Sequence, residues 1–397
     1  MLPSESTLPL GDLCFYVKET CDCSLVDPET YVSTDSMLPD KAGITVAESI
    51  PTIGSVNRYQ PKDILVSNIR PYFKKIWQSD RHGTCSNDVL VIRAKDERIC
   101  DYLMALLSDD CFFEHMMLGS KGTKMPRGDK NQILTYPVHD LTLPNMLTIG
   151  NWCSIINKLI ACIQLINDNL DAQVKALYSE LFSEDRIVEY GRLGAYCDIQ
   201  KGLSYKGSGL SESDGALLIN LGNIAPGGGY RKDKEKYYTG DYNQKHIVQP
   251  GDLIIANTDM TYERAILGSS IIVPDFPGTI LFTHHLFALR DLRLPQSYLY
   301  YYLRTDEFHG LCESSANGTT VLAISREDIL DATIPIPNST VLDAFDKVAS
   351  VALEAMSQNV RETAKLMALR DYLLPKLISG EIDVSDISLP TKYSFGE

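Results

Sequence analysis

Two kinds of hydrophobic patterning alternate along the chain, and each kind occurs twice. Short β-branched runs such as Ile64-Leu65-Val66 and Leu253-Ile254-Ile255, separated by Gly, Pro, Asn and Asp, predict strands and turns. After each set of strands comes a long stretch of helical period. In the first, apolar residues fall at Trp152, Ile156, Leu159, Ile163, Ile166, Leu170, Val174, Leu177 and Leu181, in steps of 4-3-4-3-4-4-3-4. That spacing is a coiled-coil seam with one irregular step. In the second, Leu342, Phe345, Val348, Ala352, Met356, Val360, Met367 and Leu374 keep a looser stripe. This second helix is expected to stop near Pro375, which has no amide proton for an interior turn. About 40 residues of helix would run roughly 60 Å. The two stripes are expected to pair with each other; the alternative is two amphipathic helices, each packed on its own domain.

The strand-rich blocks repeat each other. Pro61-Lys62-Asp63-Ile64-Leu65-Val66-Ser67-Asn68 is echoed by Pro250-Gly251-Asp252-Leu253-Ile254-Ile255-Ala256-Asn257. Asn87-Asp88-Val89-Leu90-Val91-Ile92-Arg93 pairs with His284-His285-Leu286-Phe287-Ala288-Leu289-Arg290, and Tyr102–Leu107 with Tyr298–Leu303, both expected as short helices. Ser120-Lys121-Gly122-Thr123 meets Ala316-Asn317-Gly318-Thr319, followed by Ile133-Leu134 against Ile329-Leu330. The offsets are 189, 197, 196 and 196 in one consistent order, so a period near 196 residues implies domain duplication rather than a solenoid. Each block opens on Leu-Gly (Leu10-Gly11, Leu193-Gly194) and closes on Tyr136-Pro137-Val138 or Ile334-Pro335-Ile336-Pro337, where proline confines the last strand to an edge or an ending. The expected order is therefore an α+β chain of two similar mixed units: residues 1–145, a helix over 146–184, a second unit over 185–338, a helix over 339–380, and a tail over 381–397.

That order, with the closing motif Leu369-Arg370-Asp371-Tyr372-Leu373-Leu374-Pro375-Lys376-Leu377-Ile378-Ser379-Gly380-Glu381, resembles the specificity subunit of type I restriction-modification systems across essentially the whole chain. Gly318-Thr319 followed by Ile329-Leu330 before a proline-rich strand is a second mark of it. The first copy of the closing motif, Ala176-Leu177-Tyr178-Ser179-Glu180-Leu181-Phe182-Ser183-Glu184, is degenerate. The resemblance implies two target recognition domains, each reading half of a split sequence in double-stranded DNA. It implies that the two helices pair antiparallel, as a coiled coil with pseudo-two-fold symmetry, and fix the gap between the halves. It also implies two methylation subunits docked on the helices and restriction subunits joined through the complex. S-adenosylmethionine, ATP and Mg would then sit on those partners, with no cofactor on this chain.

Composition changes this picture little. With 44% hydrophobic and 22% charged residues, the 397-residue chain is that of a folded protein with two domains. No uninterrupted apolar run reaches the roughly 18 residues of a membrane span, and Met1-Leu2-Pro3-Ser4-Glu5-Ser6 is not a secretory signal, so a cytoplasmic protein without membrane contact is expected. The ten cysteines contain no C-x-x-C pair, which argues for buried small hydrophobes and against a metal site.

A net charge of −15 runs against nucleic-acid binding, although screening makes local clusters count for more. Arg70, Lys74, Lys75 and Arg81 form one cluster, Lys121, Lys124, Arg127 and Lys130 a second, Arg231, Lys232, Lys234 and Lys236 a third. Each is a candidate for phosphate contact or a plain solvated face. Asn68 and Asn257, each just past an apolar strand, suit adenine recognition, or serve as turn residues. Lys121-Gly122-Thr123-Lys124 and Asn317-Gly318-Thr319 would offer backbone amides to phosphates, or form structural turns. Pro226-Gly227-Gly228-Gly229-Tyr230 reads as a flexible surface loop, and His284-His285 as structural rather than metal-binding. No Pro-Pro of an adenine-methyltransferase tetrapeptide and no phosphate-cradling loop occurs, so this chain is expected to be non-catalytic. Two rivals stand beside that reading: the DNA-recognition part of a single-chain restriction-methyltransferase, and an enzyme unrelated to DNA.

Overall fold

The structure, a computed structural model, describes residues 6–122, 124–182, 187–260, 265–318, 321–385 and 387. The chain divides into two compact units: Met1–Cys162 with Thr363–Glu397, and Ile163–Glu362. These limits differ from a simple succession of blocks, because each long helix starts in one unit and ends in the other. The cause is packing, since the two ends of each helix are buried in different cores.

In the first unit, strands Cys14–Tyr16, Val89–Ala94, Ile64–Ser67 and Ile76–Gln78 form an antiparallel sheet in that order. Ile64–Ser67 is buried at every position, as expected of a central strand with an unbroken apolar run. A second sheet joins Thr20–Asp22, Ser55–Tyr59, Gly83–Cys85 and Tyr31–Val32. Helix Cys100–Leu107 buries Tyr102, Leu103, Leu106 and Leu107 in a core that also takes in Leu10, Ile64 and Ile92. Among the described residues, strand Pro137–His139 pairs only with Thr7–Pro9, in keeping with the limit that proline sets.

The second unit has a sheet of the same order: Asp198–Lys201, Leu286–Arg290, Leu253–Ala256, Ser270–Ile272. Its other sheet has five strands where the first unit has four. Ile187–Arg192 pairs with Thr333–Pro337, and helix Gln296–Tyr302 buries three successive tyrosines, Tyr300 to Tyr302. In each unit a carboxylate at the start of the central strand meets an arginine of the neighbouring strand: Asp63 with Arg93 at 2.7 Å, Asp252 with Arg290 at 2.5 Å. Cys14 and Cys197 both point their thiols at the carbonyl of the Leu in Leu-Gly, and burial pushes them up, to about 12 and about 11. Eight of the ten cysteines are buried, which accounts for their scatter along the sequence.

The long helices run over Leu143–Leu181 and Ser339–Ile378. Within the second unit, Tyr178 and Phe182 pack edge-on against Phe345 at 5.7 and 5.2 Å, while Asn167 bonds to the Met356 carbonyl and to Asn359, so the two segments lie antiparallel. Within the first unit, Arg370 donates to Asn157 at 2.8 Å, and Met146, Ile149 and Cys153 share a core with Leu374, Leu377 and Ile378.

The buried stripe is rotated from the expected seam. Ile156, Phe345 and Ala352 are buried and Ile163, Leu170, Leu177 and Met356 half-buried, but Leu159, Ile166, Val348 and Val360 are exposed. Ile160, Asn167, Ala349 and Asn359 take their places. The apolar stripe is wider than one seam, and counting apolar residues passed over the two asparagines whose mutual hydrogen bond sits inside the contact. The second helix also continues past Pro375, with Ser379 bonding back to the Pro375 carbonyl. One lost amide bond in the last turns is outweighed by the burial of Leu377 and Ile378. The first long helix is apolar enough by length and composition to cross a membrane, and a third of that stretch is buried inside the protein.

Candidate nucleic-acid interface

In each unit three segments converge where the chain leaves the central strand. In the first, the Asn68 amide donates to the Asp88 carbonyl at 2.9 Å and Gly128 donates to the Asn68 carbonyl at 3.2 Å. Lys121 and Arg127 exchange both backbone bonds, closing a hairpin over Gly122, whose φ of 98° is open to glycine but strained for other residues. In the second unit, Asn257 donates to the His285 carbonyl at 3.0 Å and Ile324 donates to the Asn257 carbonyl at 2.9 Å. Asn317 and Ala323 exchange both bonds around Gly318, with φ of 126°. Strand end, turn and glycine hairpin thus meet at matching positions in both units, at the offsets read from the sequence.

The side chains placed there differ. Asn68 and Asn257 are 7% and 3% exposed, so neither presents an amide to a base edge. Their backbones hold the junction, and their side-chain oxygens are buried without a partner. The strand end that brings them to the hairpin also covers them, which favours the turn-residue reading over base contact. Lys121, Gly122, Lys124, Arg127, Asn317 and Gly318 are exposed on the hairpins; Thr123 and Thr319 lie outside the described residues.

Much of the positive charge in the first unit is already matched. Lys121 pairs with Asp129 at 2.9 Å, Arg127 with Asp88 at 3.0 Å, and Lys74 with Asp110 at 2.8 Å. Arg70 is drawn to the hairpin through its amide bond to Pro126, so the first two basic clusters meet there, while Arg81 sits apart over the Trp77 ring. Lys75 is held on the Thr34 carbonyl, and burial lowers its pKa. In the second unit Arg231 and Lys232 are exposed on the segment after the triple glycine.

That glycine segment is pinned where a flexible loop was expected. Gly229 donates to the Ser270 carbonyl, Gly227 to the Ser269 hydroxyl, and Arg304 donates to the Gly227 carbonyl. Positive φ at all three glycines permits this close approach; a Cβ at Gly228 would lie 2.9 Å from the Ser270 oxygen. Arg304 in turn forms a two-pronged pair with Asp171 of the first long helix. His284 and His285 form the turn before Leu286–Arg290 rather than part of a strand, with rings 3.9 Å apart and His285 Nδ1 2.9 Å from the Thr258 hydroxyl. Burial, with His284 and Lys201 nearby, holds the His285 pKa below the usual value. No group of three or more metal-binding side chains occurs among the described residues.

No family model matches the chain. A stretch of 73 residues is 33% identical to the type I restriction enzyme MjaIX specificity subunit of Methanocaldococcus jannaschii, covering 18% of this chain and 17% of that relative. The match therefore spans less than a fifth of the relative's length. Among solved structures, the type I restriction-modification system S subunit from M. genitalium superposes with a TM-score of 0.58 at 13% identity, over 95% of this chain and 98% of that one. The HsdS subunit from Thermoanaerobacter tengcongensis covers 96% and 98% at 19% identity, with a TM-score of 0.37. The chain thus has the fold of the M. genitalium S subunit, and resembles specificity subunits of type I restriction-modification systems.

Proposed function

We propose that this chain is the specificity subunit of a type I restriction-modification assembly and reads a bipartite site in double-stranded DNA. The observation that carries this is the doubled junction: two units that present a glycine hairpin at the same place, in the first unit with Lys121, Lys124 and Arg127 on it. The hairpins with Lys121, Lys124 and Arg127 in one unit, and Arg231 and Lys232 in the other, would contact phosphates, and the sheets that differ between the units would set the bases read. Two similar recognition domains arising by duplication, with the long helices as an antiparallel coiled-coil spacer between the half-sites, complete the reading. Linked half-sites would gain affinity from effective concentration.

Chemistry would belong to partners in the cytoplasm. Methylation subunits holding S-adenosylmethionine would dock on the helices, whose Ile155, Leu159, Leu165 and Ile166 are exposed, and restriction subunits would supply ATP- and Mg-dependent steps. This chain would act as reader and scaffold without catalysis. Co-expression with the methylation subunit encoded beside it, followed by mapping of N6-methyladenine in host DNA, tests the reading. A split motif is expected, and exchanging residues 1–145 for another such unit should change one half of it only. Absence of both a complex and any methylation would sink the proposal.

A further inference from the structure

The turn that leaves the central strand of the first unit is held in a conformation its residues resist. Arg70 and Lys74 take left-handed φ of 49° and 50° on either side of the short turn Pro71–Phe73. Facing them, Asp40 and Lys41 take φ of 54° and 64°. Six non-glycine residues among those described have φ in this region, and four of the six meet here. A Cβ clashes with the backbone in that conformation, so it persists only where the surroundings impose it, and such strain gathers at functional sites.

The surroundings that impose it are visible. Asp40 donates to the Phe73 carbonyl at 2.9 Å and Lys41 to the Lys74 carbonyl at 3.0 Å. The ammonium groups of Lys41 and Lys74 both close on Asp110, at 2.7 and 2.8 Å. The Arg70 amide is tied to Pro126 of the glycine hairpin. This clamp puts two aromatic rings in solvent: Tyr72 and Phe73 are 46% and 38% exposed, with centroids 4.7 Å apart. Tyr72 also forms a wall of an open groove with Phe113, Met117 and Leu118. Beside the rings, Arg70 makes no ion pair among the described residues and its Nε is buried without a partner. Lys75 likewise forms no ion pair among the described residues; its ammonium donates to the Thr34 carbonyl and lies 5.8 Å from the Phe73 ring.

We infer that Tyr72-Phe73 is an aromatic wedge that enters the duplex at the half-site read by the first unit, stacking on an opened base step while Arg70 and Lys75 take the flanking phosphates. This rests on the DNA-reading function proposed above. Paired exposed rings offer a face to any base, and two cations beside them that form no ion pair among the described residues favour a polyanion over an apolar protein surface. Backbone strain is what keeps the rings out of the core and poised.

The test uses the full chain assembled with its methylation subunit and a duplex carrying the mapped motif, with 2-aminopurine placed at successive steps of the first half-site. Wild type should show a fluorescence rise at one step. Tyr72→Ala/Phe73→Ala should lose that rise and about tenfold or more in affinity, with an unchanged melting temperature and unchanged recovery of the methylation subunit. Tyr72→Ser alone, a milder change on an exposed ring, should lose part of both signals, and Tyr72→Trp should retain them. Wild-type affinity and signal in the double variant overturn the wedge while leaving DNA reading intact. Loss of the methylation subunit with DNA binding unchanged overturns it in favour of protein docking. If the wild-type assembly binds no duplex, both the wedge and the reading beneath it fail.

Discussion

At the scale of single residues, the two glycine hairpins are alike in backbone and unlike in tolerance. A Cβ at Gly318 would fall 2.1 Å from the Val321 carbonyl oxygen, whereas at Gly122 the nearest atom, the Met125 carbonyl oxygen, is 3.2 Å away. Both positions have left-handed φ, so alanine is strained at either. Gly318→Ala is expected to cost about 2 kcal/mol or more, and Gly122→Ala about 1 kcal/mol. Equilibrium unfolding of both variants checks the order; equal losses would contradict the geometry. A second difference is a proton. Where the first unit has Asp88, the second has His285, whose folded pKa lies below its unfolded value because burial disfavours the charged ring. As pH falls through the unfolded value of about 6.5, the unfolded chain takes up a proton that the folded junction resists, so stability drops. Protection of the Asn257 and Ile324 amides from hydrogen exchange should therefore fall between pH 7 and about 5.5, while Asn68 and Gly128 hold theirs, and His285→Gln should flatten the dependence. The matching offsets in the sequence picked out the segments that meet at these junctions. The sequence did not reveal the burial of Asn68 and Asn257, because burial there comes from a hairpin some sixty residues away in sequence.

At the scale of elements, the helical period identified both long helices, with ends within a few residues of those found, and misjudged which stripe faces inward. Apolar residues at Leu159 and Ile166 sit next to Ile160 and Asn167, and a count of hydrophobic steps has no way to prefer a polar residue. The Asn359 amide donates to the Asn167 oxygen at 2.8 Å, and Asn167 donates to Met356, so the asparagines satisfy one another within the contact. A polar pair of this kind penalises any shifted register, since sliding by one turn leaves both amides facing apolar side chains. Asn167→Leu strands the Asn359 amide and is expected to cost about 1–3 kcal/mol, whereas Asn167→Leu/Asn359→Leu should recover most of that loss. Denaturant midpoints of the singles and the double decide it; additive losses would mean the two amides do not act as a pair. Pro375 offers the same lesson in reverse. A rule about one residue lost to the burial of the three residues Leu374, Leu377 and Ile378 around it.

At the scale of the whole molecule, the matching order and spacing of the two units were the most legible feature, because offsets survive where individual residues have changed. The offset grows from 189 to 197 between the central strand and the strand beside it, which is where the second unit carries extra chain. Loop contacts were least legible, since charge clusters in sequence say nothing of the carboxylates that fold against them. That bears on DNA affinity. Lys74, Lys121 and Arg127 are already paired with Asp110, Asp129 and Asp88, and the chain as a whole carries −15. Among the described cations of the three clusters, Arg70, Lys75, Lys124, Lys130, Lys232 and Lys236 are left without an ion pair. If four of these supply the phosphate contacts, the isolated chain should bind duplex DNA weakly, with a slope of log affinity against log salt of about −3 to −4. Assembly with methylation subunits should steepen that slope, because contacts they add release further counterions. A titration of chain alone and of the assembly across salt concentrations separates the two. A slope for the isolated chain as steep as that of the assembly would mean that the acidic pairs open on binding, and that Asp88, Asp110 and Asp129 give up their partners to the phosphates.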